Sequence, residues 1–406
     1  MNCRGCNTKL SLTFLDLGVS PIANDLIYPH GLDTPEVFYP LHVRTCMECS
    51  FVQLPEVATR ESLFRADYVY FSSYSTSWLE HSKSYAFQMS SLLGLSNDDL
   101  VVEIASNDGY LLQYFMEQSI QVLGIEPASG VAGVAIGKGI PTIKSFFGSQ
   151  LGKQLAENKK PMLMIGNNVL AHVPDIHDFI EGFAFLISDN GLITFEFPHL
   201  LSHIINNQFD TIYHEHYSYL SVTSLLPIFK SHKLKVVNVE KLSTHGGSIR
   251  IFVAKTDSNW TIQESVESIL LEELEHDPRK ESVWKSIQVR TLETKIDLLS
   301  ELIACKKAGI RVAAYGAAAK GNTLLNYTGL DSDLIEYVID LNPHKQGNYL
   351  PGSRIPILDV SVLDQQAPDV LLILPWNLAQ EIKHQLVPYT NKGMKLLRAI
   401  PRVEYL

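Results

Sequence analysis

Five cysteines in 406 residues are too few, and too unevenly placed, for a disulfide framework. Basic residues are outnumbered, 33 Lys and Arg against 44 Asp and Glu, for a net charge of −11. That balance argues against nucleic acid or an anionic membrane as the main partner, since both reward basic surfaces. A local basic pocket for a phosphate stays compatible with it. No run approaches the roughly 18 uninterrupted apolar residues of a membrane span. DVLLILPWNLAQ and PMLMIGNNVLAHV are short and broken by polar residues. MNCRGCNTKL lacks an apolar signal core, so the cytoplasm is the expected location. Neither GxGxxG nor a Walker A loop occurs, which disfavours NAD and ATP. What remains is an ordinary globular composition, 46% hydrophobic and 19% charged, in a chain long enough for two or three domains.

Three regions differ in pattern. Residues 1–68 are loop-rich, with Pro21, Pro29, Pro35, Pro40 and Pro55 among short apolar runs, and hold four of the cysteines. Over 69–256, short apolar runs alternate with helical stretches, the signature of a parallel α/β sheet. Strands are expected at 100–105, 122–126, 142–144, 162–166, 191–197, 234–239 and 248–254, the last two antiparallel because LSTHGG is too short for a crossover. Over 257–406, helices 259–308 with a break at DPRKE and a C-cap at Gly309 lead into a second α/β unit. Its strands are expected at 311–315, 335–340, 370–374 and 395–400.

Cys3, Cys6, Cys46 and Cys49 form CxxC, 39 residues, CxxC. Four thiolates on two knuckles close a tetrahedral zinc shell with no open position, which implies structure rather than catalysis. A redox pair would open a helix after a strand, and neither pair does. The CxxxCxxC triplet of radical chemistry is absent. Cys305 falls in a helical pattern as a small buried hydrophobe.

VVEIASNDGYLLQYF reads as strand, turn Asn107-Asp108-Gly109, and helix from Tyr110, aiming backbone N–H groups at a ligand crevice. A single glycine suits a zwitterionic amino acid with adenosine, as in S-adenosylmethionine, better than a pyrophosphate. Glu103 and Asp108 can meet the ammonium group. Glu126, 23 residues after Glu103 at the end of the second strand, is placed for ribose hydroxyls. In SFFGSQ, Phe146 or Phe147 either covers the adenine or packs in the core. Asn167 and Asn168 end the fourth strand, where ligands sit in open parallel sheets, and His172 follows.

Tyr213, His214, Glu215, His216, Tyr217 and Tyr219 crowd seven positions. So dense a polar-aromatic stretch is costly in a core unless satisfied, so it is expected to line a pocket. A metal reading for His214 and His216 lacks HExxH or a suitably spaced third ligand. THGGSIR holds His245, placed with the substrate-binding residues, before two glycines that also suit a plain turn. In GAAAKGN, small residues at a strand-to-helix turn leave N–H groups open to a phosphate, with Lys320 and Asn322 beside them and Lys345 or Arg354 near. Packing of that turn is an equal reading.

The order CxxC…CxxC, YVYFSSYS, VEIASNDGYLL, GIEPA, GNNVLAHVPD, YHEHYSYLS, THGGSIRIFVA and YGAAAKGNTLLN resembles the S-adenosylmethionine-dependent deoxysugar C-methyltransferases acting on nucleotide-linked 4-keto sugars. The resemblance implies an α/β chain: a class I Rossmann-like methyltransferase domain (69–256), flanked by a small N-terminal zinc-binding domain (1–68) and a second C-terminal Rossmann-like domain that holds the nucleotide-sugar (257–406). Five parallel strands closed by an antiparallel pair is the arrangement of that class. It also implies methylation at C-3′ of a sugar carried on dTDP or GDP, by a monomer or weak dimer. Carbon is not nucleophilic until the proton beside a ketone is removed, which needs a base near neutrality and donors facing the oxyanion. By resemblance His216 is that base, Glu215 and Tyr213 position sugar or base, and His172 lies near the sugar carbonyl or enolate. Tyr68, Tyr70 and Tyr74 belong to a run closing over the sugar. A sugar O- or N-methyltransferase shares the cofactor motifs and is the alternative.

Overall fold

The computed structural model describes residues 1–63 and 71–406. Strands are numbered in chain order. β1 (Leu12–Ser20), β2 (Tyr39–Thr45) and β3 (Val52–Gln53) form an antiparallel N-terminal sheet. Sequence reading treated this region as loops. The strands are long, but β1 slips register between Thr13 and Leu15 and again between Asp16 and Val19. Such bulges break the in–out alternation by which a strand is recognised. Gly18, with φ of 78°, sits in the second of them.

The central sheet contains β4 (Leu100–Ile104), β5 (Gln121–Ile125), β6 (Thr142–Ile143), β7 (Leu163–Asn167) and β8 (Leu192–Pro198). The chain then leaves the sheet for 199–233. That excursion carries the short strand β9 (Ser218–Tyr219), which pairs with β3 of the N-terminal sheet. It returns as β10 (Leu234–Leu242) and β11 (Ser248–Lys255). The order is β10-β11-β8-β7-β4-β5-β6, with β11 antiparallel to both neighbours and every other pairing parallel. This is the class I methyltransferase order, and the expected strands hold to within a few residues. The helix Thr76–Leu93, which precedes β4, has no counterpart in the sequence reading.

The third sheet comprises β12 (Val312–Tyr315), β13 (Val338–Ile339), β14 (Ile357–Leu358), β15 (Val370–Ile373), β16 (Lys395–Arg398) and β17 (Glu404–Tyr405), in the order β14-β13-β12-β15-β16-β17. All pairings are parallel except β16 with β17. β14 and β17, two residues each, fall below the length at which periodicity speaks. Helices Glu264–Glu275 and Glu281–Lys307 occupy the expected helical stretch.

The N-terminal sheet shares its core with both α/β units. Phe14, Leu41 and Val43 pack in one apolar cluster with Leu298, Leu324 and Leu372. Cys3, Cys46 and Phe51 join another with Val102, Phe183 and Leu225. Among the described residues no helix is long and apolar enough to cross a membrane.

Inside the central unit, helices Ser149–Ala156 and Ile176–Leu186 cross where only hydrogen fits. A Cβ on Gly152 would lie 2.5 Å from the Gly182 carbonyl oxygen. Backbone cannot yield as a side-chain tip can, so Gly152→Ala must part the helices. Overpacking of this kind costs about 1–3 kcal/mol. Denaturant unfolding should show that loss, and an unchanged midpoint would contradict the close crossing.

Candidate functional site

The four N-terminal cysteines converge, their sulfurs all within 4.8 Å of one another. Sγ pairs Cys3–Cys49 and Cys6–Cys46 stand 3.5 Å apart. A tetrahedral shell with Zn–S near 2.3 Å has edges of about 3.8 Å, so the set fits zinc. The Gly5 N–H and the Gln53 amide both donate to Cys3 Sγ at 3.3 Å, orienting the thiolate from outside. Arg279 lies close enough for its charge to act with Cys46 and Cys49.

At the carboxyl ends of β4 and β7 the backbone is contorted for a ligand. Ala105, Asn107, Gly109 and Asn168 all take positive φ, at 57°, 49°, 77° and 52°. Such strain clusters at functional sites. Glu103 is fully buried, and burial pushes its carboxyl well above the ordinary range. The Tyr110 hydroxyl acts on it, though neither oxygen completes a hydrogen bond of ordinary geometry. Asp108 Oδ1, Asn167 Oδ1 and Asn168 Oδ1 are likewise buried without partners. Among the described residues these orphaned oxygens are acceptors, joined by the unpartnered Ser106 hydroxyl, so the crevice favours a ligand that brings donors or positive charge, as an ammonium does. Asp108 Oδ2 receives the Ser73 hydroxyl, with Lys138 Nζ 3.5 Å away. Glu126 accepts the N–H of Asn107 at 3.0 Å and of Ala128 at 2.8 Å, which holds the turn and leaves each oxygen a further lone pair. Phe147 is set edge-on among Phe179 and Phe183, so its ring is committed to the core. Phe146 beside it is only half-buried, which makes it the better placed of the two to cover an adenine.

The excursion 199–233 presents the polar motif. His216 is buried, its ring 4.7 Å from that of His172. His216 Nδ1 lies 2.8 Å from the Thr211 carbonyl and His172 Nδ1 lies 2.8 Å from the Glu215 carbonyl. A carbonyl only accepts, so both rings carry their proton on Nδ1 and present a lone pair at Nε2. The Tyr213 hydroxyl donates to His216 Nε2 at 2.8 Å. Burial holds His172 down to about 4, and burial, aided by His172, holds His216 well below the usual histidine range. The Nδ1 proton of His172, expected near the sugar carbonyl or enolate, is thus committed to the Glu215 carbonyl. Glu215 is pushed up to about 7 by burial, opposed by the Asn24 amide at 2.7 Å and the charge of Lys345. His214 turns instead toward the N-terminal sheet, 3.3 Å from the Pro40 carbonyl and edge-on to Tyr39. Among the described residues the four cysteines are the one cluster fit for a metal ion, so the histidines of this motif are not joined by a third ligand.

His245 sits at φ of 53°, edge-on to Trp78 at 5.2 Å, with Nδ1 buried and unpartnered and its pKa held down to about 4 by burial. Lys320 Nζ donates to Asn377 Oδ1 at 2.7 Å and lies 4.7 Å over the Trp376 ring. Asn322 is wholly buried with its amide atoms unpartnered. Lys345 Nζ reaches the Ala317 carbonyl at 2.7 Å, whereas Arg354 is drawn off to Glu36 of the N-terminal region at 2.7 Å. Tyr68 and Tyr70 lie outside the described residues, as does the side chain of Tyr74.

Several site residues escaped the sequence reading. Asn24 comes from a loop more than 190 residues away. Glu196 lies within a strand, with no signal beyond an acid among apolar neighbours in TFEFP. Asp340, just past β13, repeats the Glu126 arrangement: it accepts the Ala317 N–H at 2.7 Å and the Asn342 N–H at 2.8 Å. An acid ending the second strand of the second unit was a findable signal.

A seven-stranded sheet with only β11 antiparallel, and a crevice lined by buried oxygens at the ends of β4 and β7, is the layout of a class I methyltransferase. Three family models cover the chain: a "Putative zinc binding domain" at 3–64, a "Methyltransferase domain" at 81–239 and a "C-methyltransferase C-terminal domain" at 243–401. The C-methyltransferase NovU of Streptomyces niveus is 34% identical over 400 residues, 98% of this chain and 95% of that protein. The chain belongs to this C-methyltransferase family. Among solved structures, magnesium protoporphyrin IX methyltransferase of Synechocystis (14% identical, TM-score 0.35, 44% of this chain and 83% of that one) and YcgJ of Bacillus subtilis (11%, 0.35, 44% and 100%) also match, without adding to the assignment.

Purified protein should carry one zinc per chain, and chelation should disorder the N-terminal sheet because metal binding there is folding energy. Elemental analysis finding less than about a tenth of an equivalent would remove the zinc assignment.

Proposed function

We propose that this C-methyltransferase moves the methyl group of S-adenosylmethionine to a carbon, C-3′, of a 4-keto-6-deoxysugar carried on dTDP or GDP, through an enolate formed by His216. S-adenosylmethionine, when bound, supplies an electrophilic methyl group and departs as a neutral thioether. Glu103 and Asp108 would hold its ammonium group, Glu126 its ribose, and Asn167 and Asn168 the remaining polar edge. The buried, unpartnered oxygens of Glu103, Asp108, Asn167 and Asn168 support this choice.

The observation that carries the carbon chemistry is the tautomer of His216. The Thr211 carbonyl fixes the proton on Nδ1, so Nε2 holds a lone pair in a buried, neutral ring. The Tyr213 hydroxyl occupies that lone pair at rest. Substrate must draw the hydroxyl away, after which Nε2 can take the proton beside the ketone. Glu215, tied to Asn24, lies on the same segment and positions the sugar or the base. His172, whose ring lies 4.7 Å from that of His216, is read as lying near the sugar carbonyl. The repeat of the Glu126 geometry at Asp340 supports the C-terminal unit as the nucleotide holder.

Glu126→Ala removes the ribose acceptors, each worth about 1.5–3 kcal/mol as a charged hydrogen bond, and unties the Asn107 turn. S-adenosylmethionine affinity should fall at least about tenfold by calorimetry, with nucleotide affinity little changed. Unaltered cofactor binding would displace the crevice from these strands.

His216→Asn keeps shape and polarity but removes the base, and should lower turnover by about 10²–10⁴. In deuterated water the wild type should place deuterium beside the ketone, and the variant should not. Because burial depresses the His216 pKa, its neutral form persists below the usual histidine range, so the acid limb due to this ring should fall below about 6.5. A variant that exchanges deuterium at the wild-type rate moves the base elsewhere. A wild type that methylates without any exchange at the ring carbon favours the O- or N-methyl alternative.

A further inference from the structure

We propose that the Lys320 ammonium is the group that holds the enolate oxygen, rather than an anchor for the pyrophosphate of the nucleotide-sugar. The inference rests on the enolate reading above and deepens it. Removing the carbon proton leaves an electron pair that moves to the ketone oxygen, and that oxygen needs a donor or a positive charge aimed at it. The two imidazoles at the base cannot serve. His172 has spent its N–H on the Glu215 carbonyl and His216 has spent its own on Thr211.

Lys320 is brought to the same place by its helix, Ala319–Thr328. One turn along, the Thr323 hydroxyl donates to the Ile212 carbonyl at 2.9 Å, docking the helix against the segment that bears Tyr213 and His216. Trp376, beneath the ammonium, donates from Nε1 to Asp210 Oδ2 at 2.7 Å. The same ring packs on Gly246, where a Cβ would collide with it, and so lies beside the His245 turn. Lys320 therefore sits between the base and the THGG turn, with one of its three N–H groups given to Asn377.

The charge balance around it is unusual. Lys320 acts electrostatically on His203, His216 and His245, and burial holds all three rings below the ordinary histidine range. The carboxylate that offsets Lys320 is Asp210, itself pushed up to about 6 by burial and bonded to Trp376. A partly buried cation among neutral imidazoles is stabilised by an anion that forms during reaction. Of the two other cations at hand for a pyrophosphate, Arg354 pairs with Glu36, and Lys345, at the same turn, gives an N–H to the Ala317 carbonyl.

In the step proposed, the C–H bond breaks, the proton passes to His216 Nε2, and its electron pair becomes the enolate, the oxygen facing Lys320. The pair returns to carbon as the bond to the methyl carbon forms and the donor's C–S bond breaks. The ketone is restored, and His216 returns its proton to water.

The test uses Lys320→Met and Lys320→Gln in the full-length zinc-loaded protein. S-adenosylmethionine binding serves as the check that each variant is folded, and the variant that passes is used. Turnover and deuterium wash-in at saturating 4-keto sugar nucleotide should both fall by about 10²–10³, the usual effect of losing one oxyanion donor. Binding of dTDP and of GDP, titrated separately, should change less than about threefold for whichever one the wild type binds, a shift within about 0.7 kcal/mol. Losing the cation should also move the acid limb of exchange to higher pH, since its charge helps hold His203, His216 and His245 down. Wild-type exchange in the variant overturns the inference. So does a tenfold loss of diphosphate affinity with exchange at saturation intact, which would restore the pyrophosphate role. If wild type itself shows no exchange, the enolate reading fails rather than this assignment.

Discussion

Glu196 has no access to water, and its side chain is where the site is tied together. It accepts from His81 at 2.8 Å, from Arg250 at 3.0 Å and from the Thr244 hydroxyl at 3.0 Å. These partners come from the helix Thr76–Leu93, from β11 and from the THGG turn. The Glu196 carbonyl takes the Asn168 N–H at 2.6 Å, fixing the left-handed residue at the cofactor crevice. A buried carboxylate is tolerated only when paired, and removing one partner of such a pair costs about 3–5 kcal/mol. Its pKa stays below the ordinary range because His81 and Arg250 outweigh the burial that would raise it. The helix held in this way carries Trp78, tilted against Tyr110 and edge-on to His245. One carboxylate thus couples the methyl-donor crevice to the turn beside Lys320.

The same economy explains why the polar motif is placed on an excursion rather than in the sheet. Residues 199–233 leave the central unit, lend β9 to the N-terminal sheet, and receive Thr323 of the C-terminal unit at the Ile212 carbonyl. Two apolar clusters meet there, so His216 is buried without any single unit enclosing it. Burial keeps the imidazoles neutral, which is what the proposed base would require. The zinc shell then has a physical role beyond local folding. Arg4, between Cys3 and Cys6, donates to the carbonyls of Tyr217 and Leu54 and so braces the strand that follows His216.

The zinc cluster was legible in the residues, because four thiolates on two CxxC knuckles leave little else to do. The β4 turn, Glu126 and the His216 segment stand out in the same way, by residue types at short spacing, and the fold gathers them at the strand ends and on the excursion from the sheet. The positions of the central strands follow from apolar runs, and the antiparallel pairing of β10 with β11 from the short LSTHGG link; their order in the sheet does not. What stayed hidden has a common cause. β1 was masked by bulges, β14 and β17 by their two-residue length, and Glu196 by carrying no local pattern. His172 was recognised as a site residue, yet its direction of hydrogen bonding depends on a carbonyl 43 residues away. Tautomers, and the assignment of Lys320 to base or pyrophosphate, are properties of contacts that no spacing encodes.

The two α/β units make the remaining point about charge. Their layouts agree: an acid after the second strand accepts one N–H from the first strand's turn and another two residues on, at Glu126 and again at Asp340. No residue-level repeat betrays this, because what recurs is backbone geometry. The groups added to the layout differ in sign. The central crevice offers buried oxygen acceptors from Glu103, Asp108, Asn167 and Asn168. The C-terminal unit brings Lys320 and Lys345 to its facing turn. One unit therefore suits a cationic donor and the other an anionic acceptor. In the proposed reaction a sulfonium meets an enolate, so each unit would stabilise one reactant's charge and neither charge would remain in the products.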